Sequence, residues 1–187
     1  MKSGLQYHFE WDAAKAQSNR RKHGIAFEDA MTVFLDPLAV TRDDDEHAES
    51  EERWITVGRT DGGMLTVVAH TYHETAEDEA SLRVISARRA TPRERREYES
   101  GEYSIREPCV MTDEHDMKDE YDFSNGERGK FYRQGAIFSF PVYLDAEILA
   151  FFRARAKEQG VELELLLNEA LQREITSTQA RKGLATK

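Results

Sequence analysis

His23 stands in the run Arg20-Arg21-Lys22-His23-Gly24. Imidazole is the side chain whose unperturbed pKa lies nearest neutrality, so His23 is the best acid–base candidate in the chain. Lys22 beside it, and Arg53, Arg59, Arg88 and Arg89 further on, are the cations available for phosphate contacts. Strand alternation sorts them: Arg53 and Arg59 are an even number of residues apart and share a face, whereas Arg88 and Arg89 point to opposite faces. Glu10 is a further candidate base, and Tyr98 a candidate for positioning phosphate. A lone histidine is most often a surface or packed residue, so His23 needs the support of the elements that carry it. His70 and His73 lie where a strand ends, with no third ligand implied by spacing; neither a metal site nor a cofactor is expected.

The elements that carry these groups have clear local signals. Leu5–Glu10 suits a short strand. Asp12 is a good N-cap for a helix over about residues 13–22, with Lys22 and His23 where cations suit the helix dipole and Gly24 placed to end it. Phe27, Ala30, Met31 and Phe34 follow i, i+3, i+4, i+7 spacing, a second helix that Asp36-Pro37 stops. A weak strand at Ala39–Arg42 precedes RWITVGRT, which leads through Asp61-Gly62-Gly63, a strong hairpin signal, into MLTVVAHTY. After the polar insertion HETAEDEAS, SLRVISARR reads as another strand. Thr91-Pro92 then opens a helix. Glu94, Arg95 and Arg96 are expected on its solvated face; Trp11 and Trp54 are expected in the core. The order β-α-α-β-β-β-β-α, with consecutive hairpins, predicts an α+β fold with helices on an antiparallel sheet.

The 187 residues include 26 Lys and Arg against 36 Asp and Glu, a formal net charge of −10. That excess argues against nucleic-acid binding by the whole surface and leaves a local basic site open. Apolar residues are 39 % of the chain, but nine Phe, seven Tyr and two Trp argue against full disorder. The single cysteine, Cys109, excludes an internal disulfide framework. No run approaches a membrane span and the N-terminus lacks a signal-peptide core, so a cytoplasmic protein with no membrane role is expected. From Ser100 to Gly135 apolar residues are sparse and no period persists. The expected division is a first domain over 1–110, an acidic linker over 111–135 and a second domain over 136–187. The linker's Tyr121, Phe123, Phe131 and Tyr132 are candidates for docking. Its Asp113, Glu114, Asp116, Asp119, Glu120 and Asp122 form either a solvated spacer or a segment that contacts arginines of the first domain.

FEWDAAKAQSNRRKHGIAFEDAMTVFLDP, EERWITVGR and ISARRATPRERREYE, in that order over roughly residues 8–99, resemble the BrnT toxin family. The resemblance implies a RelE-like fold and a small RNA endonuclease that works without metal. Such cleavage needs a base for the ribose 2′-hydroxyl, an acid for the leaving oxygen and cations for the developing charge. His23 is the candidate for the first two tasks, with Glu10 a further candidate base, and Lys22, Arg53, Arg59, Arg88 and Arg89 are the candidates for the third. Two departures are visible: Ala26 stands where a capping Ser is usual, and HETAEDEAS lengthens a hairpin.

In the second half, Phe138, Phe140, Val142 and Leu144 alternate with Ser139, Pro141 and Tyr143, a strand pattern. Asp145 is placed to cap a helix of about residues 146–159, which Gly160 stops. Leu163, Leu166, Leu167, Ala170, Leu171 and Ile175 mark a second helix with an apolar stripe. One strand and two helices are too little to bury a core alone, so a homodimer through residues 136–176 is expected, its two strands pairing antiparallel. With YDFSNGERGKFY and FPVYLD, residues 117–176 resemble the ribbon-helix-helix (CopG/BrnA-like) antitoxins found beside BrnT-like toxins, with Met111 or Met117 resembling an embedded start. Ser139 and Tyr143 become the DNA-contact candidates. They lack the side chains that read base edges, and Glu162 and Glu164 would repel phosphate at the second helix, so weak operator binding or none is expected.

The combined reading is a toxin–antitoxin fusion: a ribonuclease toxin domain, acting on RNA, neutralised in cis or in trans by its fused antitoxin-like domain. The alternative is a DNA-binding autoregulatory repressor with an inactive toxin-like domain; a third reading is a structural interaction protein.

Overall fold

A computed structural model of the chain describes residues 5–44, 52–100 and 117–184, with side chains as far as residue 179. The expectations that rest on Cys109, Met111, Asp113, Glu114 and Asp116 lie outside the described residues. The chain forms two compact units, Met1–Pro141 and Val142–Lys187. The break therefore falls later than the expected boundaries at 110 and 135, and the described part of the expected linker belongs to the first unit.

In the first unit β1 (Gln6–Glu10) leads to α1 (Ala13–His23), with the Asp12 carboxylate accepting the Lys15 N–H and Gly24 closing the helix at φ 70°. A short α2 (Phe27–Ala30) continues as a 3-10 turn, Met31–Leu35. No side chain caps it at Ala26. The four expected apolar positions, Phe27, Ala30, Met31 and Phe34, are nonetheless all buried. β2 (Val40–Asp43), β3 (Arg53–Arg59), β4 (Leu65–Ala76) and β5 (Glu79–Arg89) follow, and the polar insertion extends the β4–β5 hairpin. α3 (Pro92–Ser100) comes next, then β6 (Glu127–Arg128) and β7 (Ile137–Ser139).

The seven strands lie in the order β6-β2-β3-β4-β5-β1-β7. The four central strands pair antiparallel as expected, but β1 joins β5 in parallel and β7 joins β1 in parallel. The strand expected to form the ribbon thus has a partner within its own chain. The predicted strand is ordered as a strand only over Ile137–Ser139, and its neighbour is the first strand of the same chain. The physical reason is an open edge: β1 offers unpaired N–H and C=O groups along one side, and β7 fills them. The phenyl rings of Phe138 and Phe9 then meet at 4.8 Å, and Phe140 stacks on Trp11 at 6.1 Å.

Both faces of the sheet are covered. On one, α1, α2 and the 3-10 turn pack Ile25, Phe27 and Phe34 with Tyr7, Phe9, Leu82 and Val84. On the other, Val40, Ile55, Val57, Leu65, Val67 and Ala69 are closed over by Tyr98 of α3 and by Met117, Tyr121 and Phe123. The last three come from the expected linker. Burying a side chain of that size stabilises by roughly 1.5–3 kcal/mol, so residues 117–128 are a strap that belongs to the core. The strap passes so close to β2 that a Cβ on Gly126 would collide with the Val40 side chain. Phe131, in turn, packs between Trp54, His70 and Tyr72 on the first face.

The second unit contains α4 (Ala146–Gln159), ended by Gly160 at φ 65°, and α5 (Leu163–Leu184). The helix bounds agree with the expected stop at Gly160, but Asp145 makes no side-chain capping bond. Within the described residues Ala156 and Leu166 are buried there, while Ile148, Phe151, Leu165, Leu171 and Ile175 are exposed.

Candidate active site

α1 crosses β5 at a defined point because Asn19, buried in the helix, is held by both. Its amide donates to the Ile25 carbonyl at 3.1 Å, and its side-chain oxygen accepts from the Ser86 hydroxyl at 3.1 Å and the Ala87 N–H at 3.0 Å. That crossing brings the last turn of α1 beside the strand. Lys15, Lys22 and His23 from α1, Ser86 and Arg88 from β5, and Met117, Lys118 and Asp119 from the strap line one cavity of about 110 Å³. Ligand pockets usually run to roughly 300–1,000 Å³, so the cleft as it stands admits a few waters and not a nucleotide.

Arg88 is the fixed point of this cavity. Its guanidinium forms a two-pronged pair with the Glu94 carboxylate at 2.8 and 2.7 Å. Its Nε donates to the Lys118 carbonyl at 2.9 Å, and the Tyr121 ring lies 5.5 Å from its centre. Glu94 is fully buried and also accepts the N–H of Thr91 and the N–H of Tyr121, each at 2.8 Å. The expectation of a solvated Glu94 is therefore wrong. A buried arginine needs a buried carboxylate, and Glu94 is the one that the helix start supplies. The signal was in the sequence: Thr91-Pro92-Arg93-Glu94 has capping-box spacing, and the Glu94 N–H does return a bond to the Thr91 hydroxyl at 3.2 Å.

The structure thus gathers Lys22, His23 and Arg88 and leaves the other candidates elsewhere. Arg53 sits 3.8 Å from the Asp44 carboxylate. Arg59 pairs with Glu99 at 3.3 Å and lies 5.6 Å from the Tyr98 ring centre, at the far end of β3. Arg89 is exposed and lines a different cleft, with Arg95 and Arg96. Glu10 is exposed at the end of β1. Tyr98 is committed to the fold: its hydroxyl donates to Asp36 at 2.7 Å, and burial, then that carboxylate, push its pKa up to about 12. Ser139 accepts from the Gln6 side chain at 3.2 Å, within the sheet. Tyr143 is exposed in the second unit. Asn19 and Glu94 are the positioning groups that spacing alone did not single out.

Trp11 is buried, as expected, while Trp54 is half-buried with the Lys130 ammonium 4.3 Å from its ring. Among the described residues no three His, Cys, Asp or Glu side chains gather as a metal site, and no helix is long and apolar enough to cross a membrane.

Residues 11–94 match the family model described as the ribonuclease toxin BrnT of type II toxin–antitoxin systems. This segment, less than half of the chain, is similar to the BrnT family. It runs from Trp11 to Glu94, so it contains Lys22, His23, Arg53, Arg59, Arg88 and Arg89, while the strap wall of the cleft lies outside it. The crystal structure of the Brucella abortus ribonuclease toxin BrnT is similar at 24 % identity, over 46 % of this chain and 97 % of that one, with a TM-score of 0.32. No curated protein matches the chain.

Proposed function

We propose that the BrnT-like domain is a metal-independent RNA endonuclease held inactive by the later part of its own chain. The observation that carries this reading is the Lys118 carbonyl oxygen on the Arg88 Nε, in the same cleft as Lys22 and His23. An oxygen acceptor on that guanidinium stands where a phosphate oxygen would bind. With the strap lifted, His23 takes the 2′-hydroxyl proton and returns one to the leaving oxygen, while Arg88 and Lys22 stabilise the charge gathering on phosphorus. Glu94 holds the Arg88 fork in place, so no reorganisation is needed as the charge develops.

The fused antitoxin-like part acts as a tether as well as a cover. A segment joined to its target by a short chain works at an effective concentration on the order of millimolar, so masking in cis is strong without tight intrinsic binding. The repressor alternative draws no support from the ribbon positions, because Ser139 accepts from the Gln6 side chain and neither it nor Tyr143 carries the donor and acceptor pair that reads a base edge.

The test uses the full chain. Wild type and the double variant Tyr121→Ala/Phe123→Ala are incubated with RNA, with and without chelator. Wild type should leave RNA intact and the loosened variant should cut it equally well with chelator. Adding His23→Ala to the loosened variant should lower the rate by about 10²–10⁴. A loosened variant that stays folded and cuts nothing would sink the enzymatic reading, and equal cutting by wild type would sink the mask.

A further inference from the structure

A second cleft, of about 610 Å³, opens where β5 ends and α3 begins. Arg89, Arg95 and Arg96 line it, with Met64, Leu65 and Pro92 supplying apolar surface. We propose that this cleft binds the backbone and bases of single-stranded RNA outside the covered centre. The choice of RNA rests on the ribonuclease reading above.

Three observations carry it. First, among the described residues the cleft lining contains three guanidinium groups and no carboxylate, in a chain whose net charge is −10. Glu99 approaches Arg95 at 3.5 Å, but both are 48 % exposed, and a pair so placed is weak enough for a phosphate to compete. Second, no strap residue lines this cleft, whereas three line the first. Among the described residues the strap closes one and does not cover the other. Third, the two are joined through consecutive residues. Arg88 and Glu94 form the buried pair of the closed cleft, and their chain neighbours Arg89 and Arg95 line the open one.

The chemistry selects the ligand class. Guanidinium forks match phosphate oxygens, and an apolar floor suits the face of a base. A single strand presents both together; a duplex buries its base faces in the stack. RNA can therefore dock on the inhibited protein, and the closed cleft would receive the strand only when the strap leaves.

The experiment titrates full-length wild type, strap in place, into a short fluorescein-labelled single-stranded RNA and follows anisotropy from roughly 50 to 200 mM salt. Wild type should bind saturably. Arg89→Ala/Arg95→Ala/Arg96→Ala should weaken binding about tenfold or more, and the log–log salt dependence should flatten by about 2, since each phosphate contact on a single strand contributes about 0.7. The triple Arg→Lys variant keeps the charges and should retain most of the salt dependence, which guards against an alanine variant that fails to fold. Absence of binding by wild type at the lowest salt, unchanged binding by the alanine variant, or equal affinity for duplex DNA would each overturn the proposal. If wild type binds through these arginines and the loosened variant never cuts, the cleft stands and the ribonuclease reading falls.

Discussion

Glu94 shows how one buried carboxylate serves both fold and site. It neutralises Arg88, caps α3 through Thr91 and accepts the strap's Tyr121 N–H. Replacing one partner of a buried pair leaves the other charge uncompensated, so Glu94→Ala should cost about 3–5 kcal/mol in urea unfolding of the full chain. A loss below 1 kcal/mol would mean that Arg88 finds another partner. His70 carries a second residue-level prediction. It is fully buried, its Nε2 is 2.9 Å from the Thr56 hydroxyl, and burial lowers its pKa from 6.5 to about 3. Between those values the unfolded chain holds a proton that the folded chain refuses. Stability is therefore full above about pH 6.5 and falls as pH drops toward 3, by about 1.4 kcal/mol per pH unit. His70→Gln should flatten the slope between pH 6.5 and 5, above the range where most carboxylates titrate. An unaltered slope would place its origin elsewhere.

The strap lines the cleft, and besides its backbone bonds to Arg88, Glu94 and Glu97 two kinds of side-chain contact hold it. Glu120 and Asp122 reach Arg93 at 3.7 and 3.5 Å, with all three side chains about a third exposed. Pairs so exposed are worth about 0–1 kcal/mol. Tyr121 and Phe123 are 3 % and 4 % exposed, and emptying a buried aromatic site costs about 3–5 kcal/mol. The aromatic anchors outweigh the acids. Glu120→Ala/Asp122→Ala should leave RNA cleavage nearly as suppressed as in wild type, whereas Tyr121→Ala/Phe123→Ala should release it. The reverse ranking in a cleavage assay would show that charge, not packing, holds the strap. Gly126→Ala tests the same element by crowding, since its new methyl meets Val40. It should raise protease sensitivity within residues 117–128.

At the scale of the whole molecule, the second unit has apolar side chains with too little core of its own. Phe151, Leu165 and Leu171 are 58 %, 56 % and 62 % exposed in a two-helix unit. We expect a second copy of the chain to cover them. Light scattering on the purified chain should give the mass of a dimer at micromolar concentration, and Leu171→Asp should shift it to monomer, because a carboxylate buried without a partner costs several kcal/mol. A wild-type monomer under those conditions would rule the arrangement out. The division of the chain at residue 141 makes the two assays separable: strap variants act on the first unit, Leu171→Asp on the second.

Local order was legible because its causes are local. Asp12 and Gly24 bound α1, Thr91-Pro92 opens α3, Asp61-Gly62-Gly63 turns β3 into β4, and Gly160 ends α4, each through contacts within a few residues. The motifs around Lys22, His23 and Arg88 were legible for the same reason: each lies on a short continuous segment. The partners of those segments were not. Residues 117–135 read as a linker because their apolar side chains follow no period, and they follow none because each fits a different place on a distant surface. The Tyr7 hydroxyl meets the Phe131 carbonyl across 124 positions, and Arg88 meets Lys118 across 30. Strand alternation over 138–144 announced a strand, formed only over Ile137–Ser139, but could not name its neighbour, since the free edge of β1 exists only after the sheet has formed. Residue types determined what chemistry was available; only the tertiary packing decided that Lys22, His23 and Arg88 share a cleft, that Arg53, Arg59 and Arg89 do not, and that the chain closes this cleft with its own backbone.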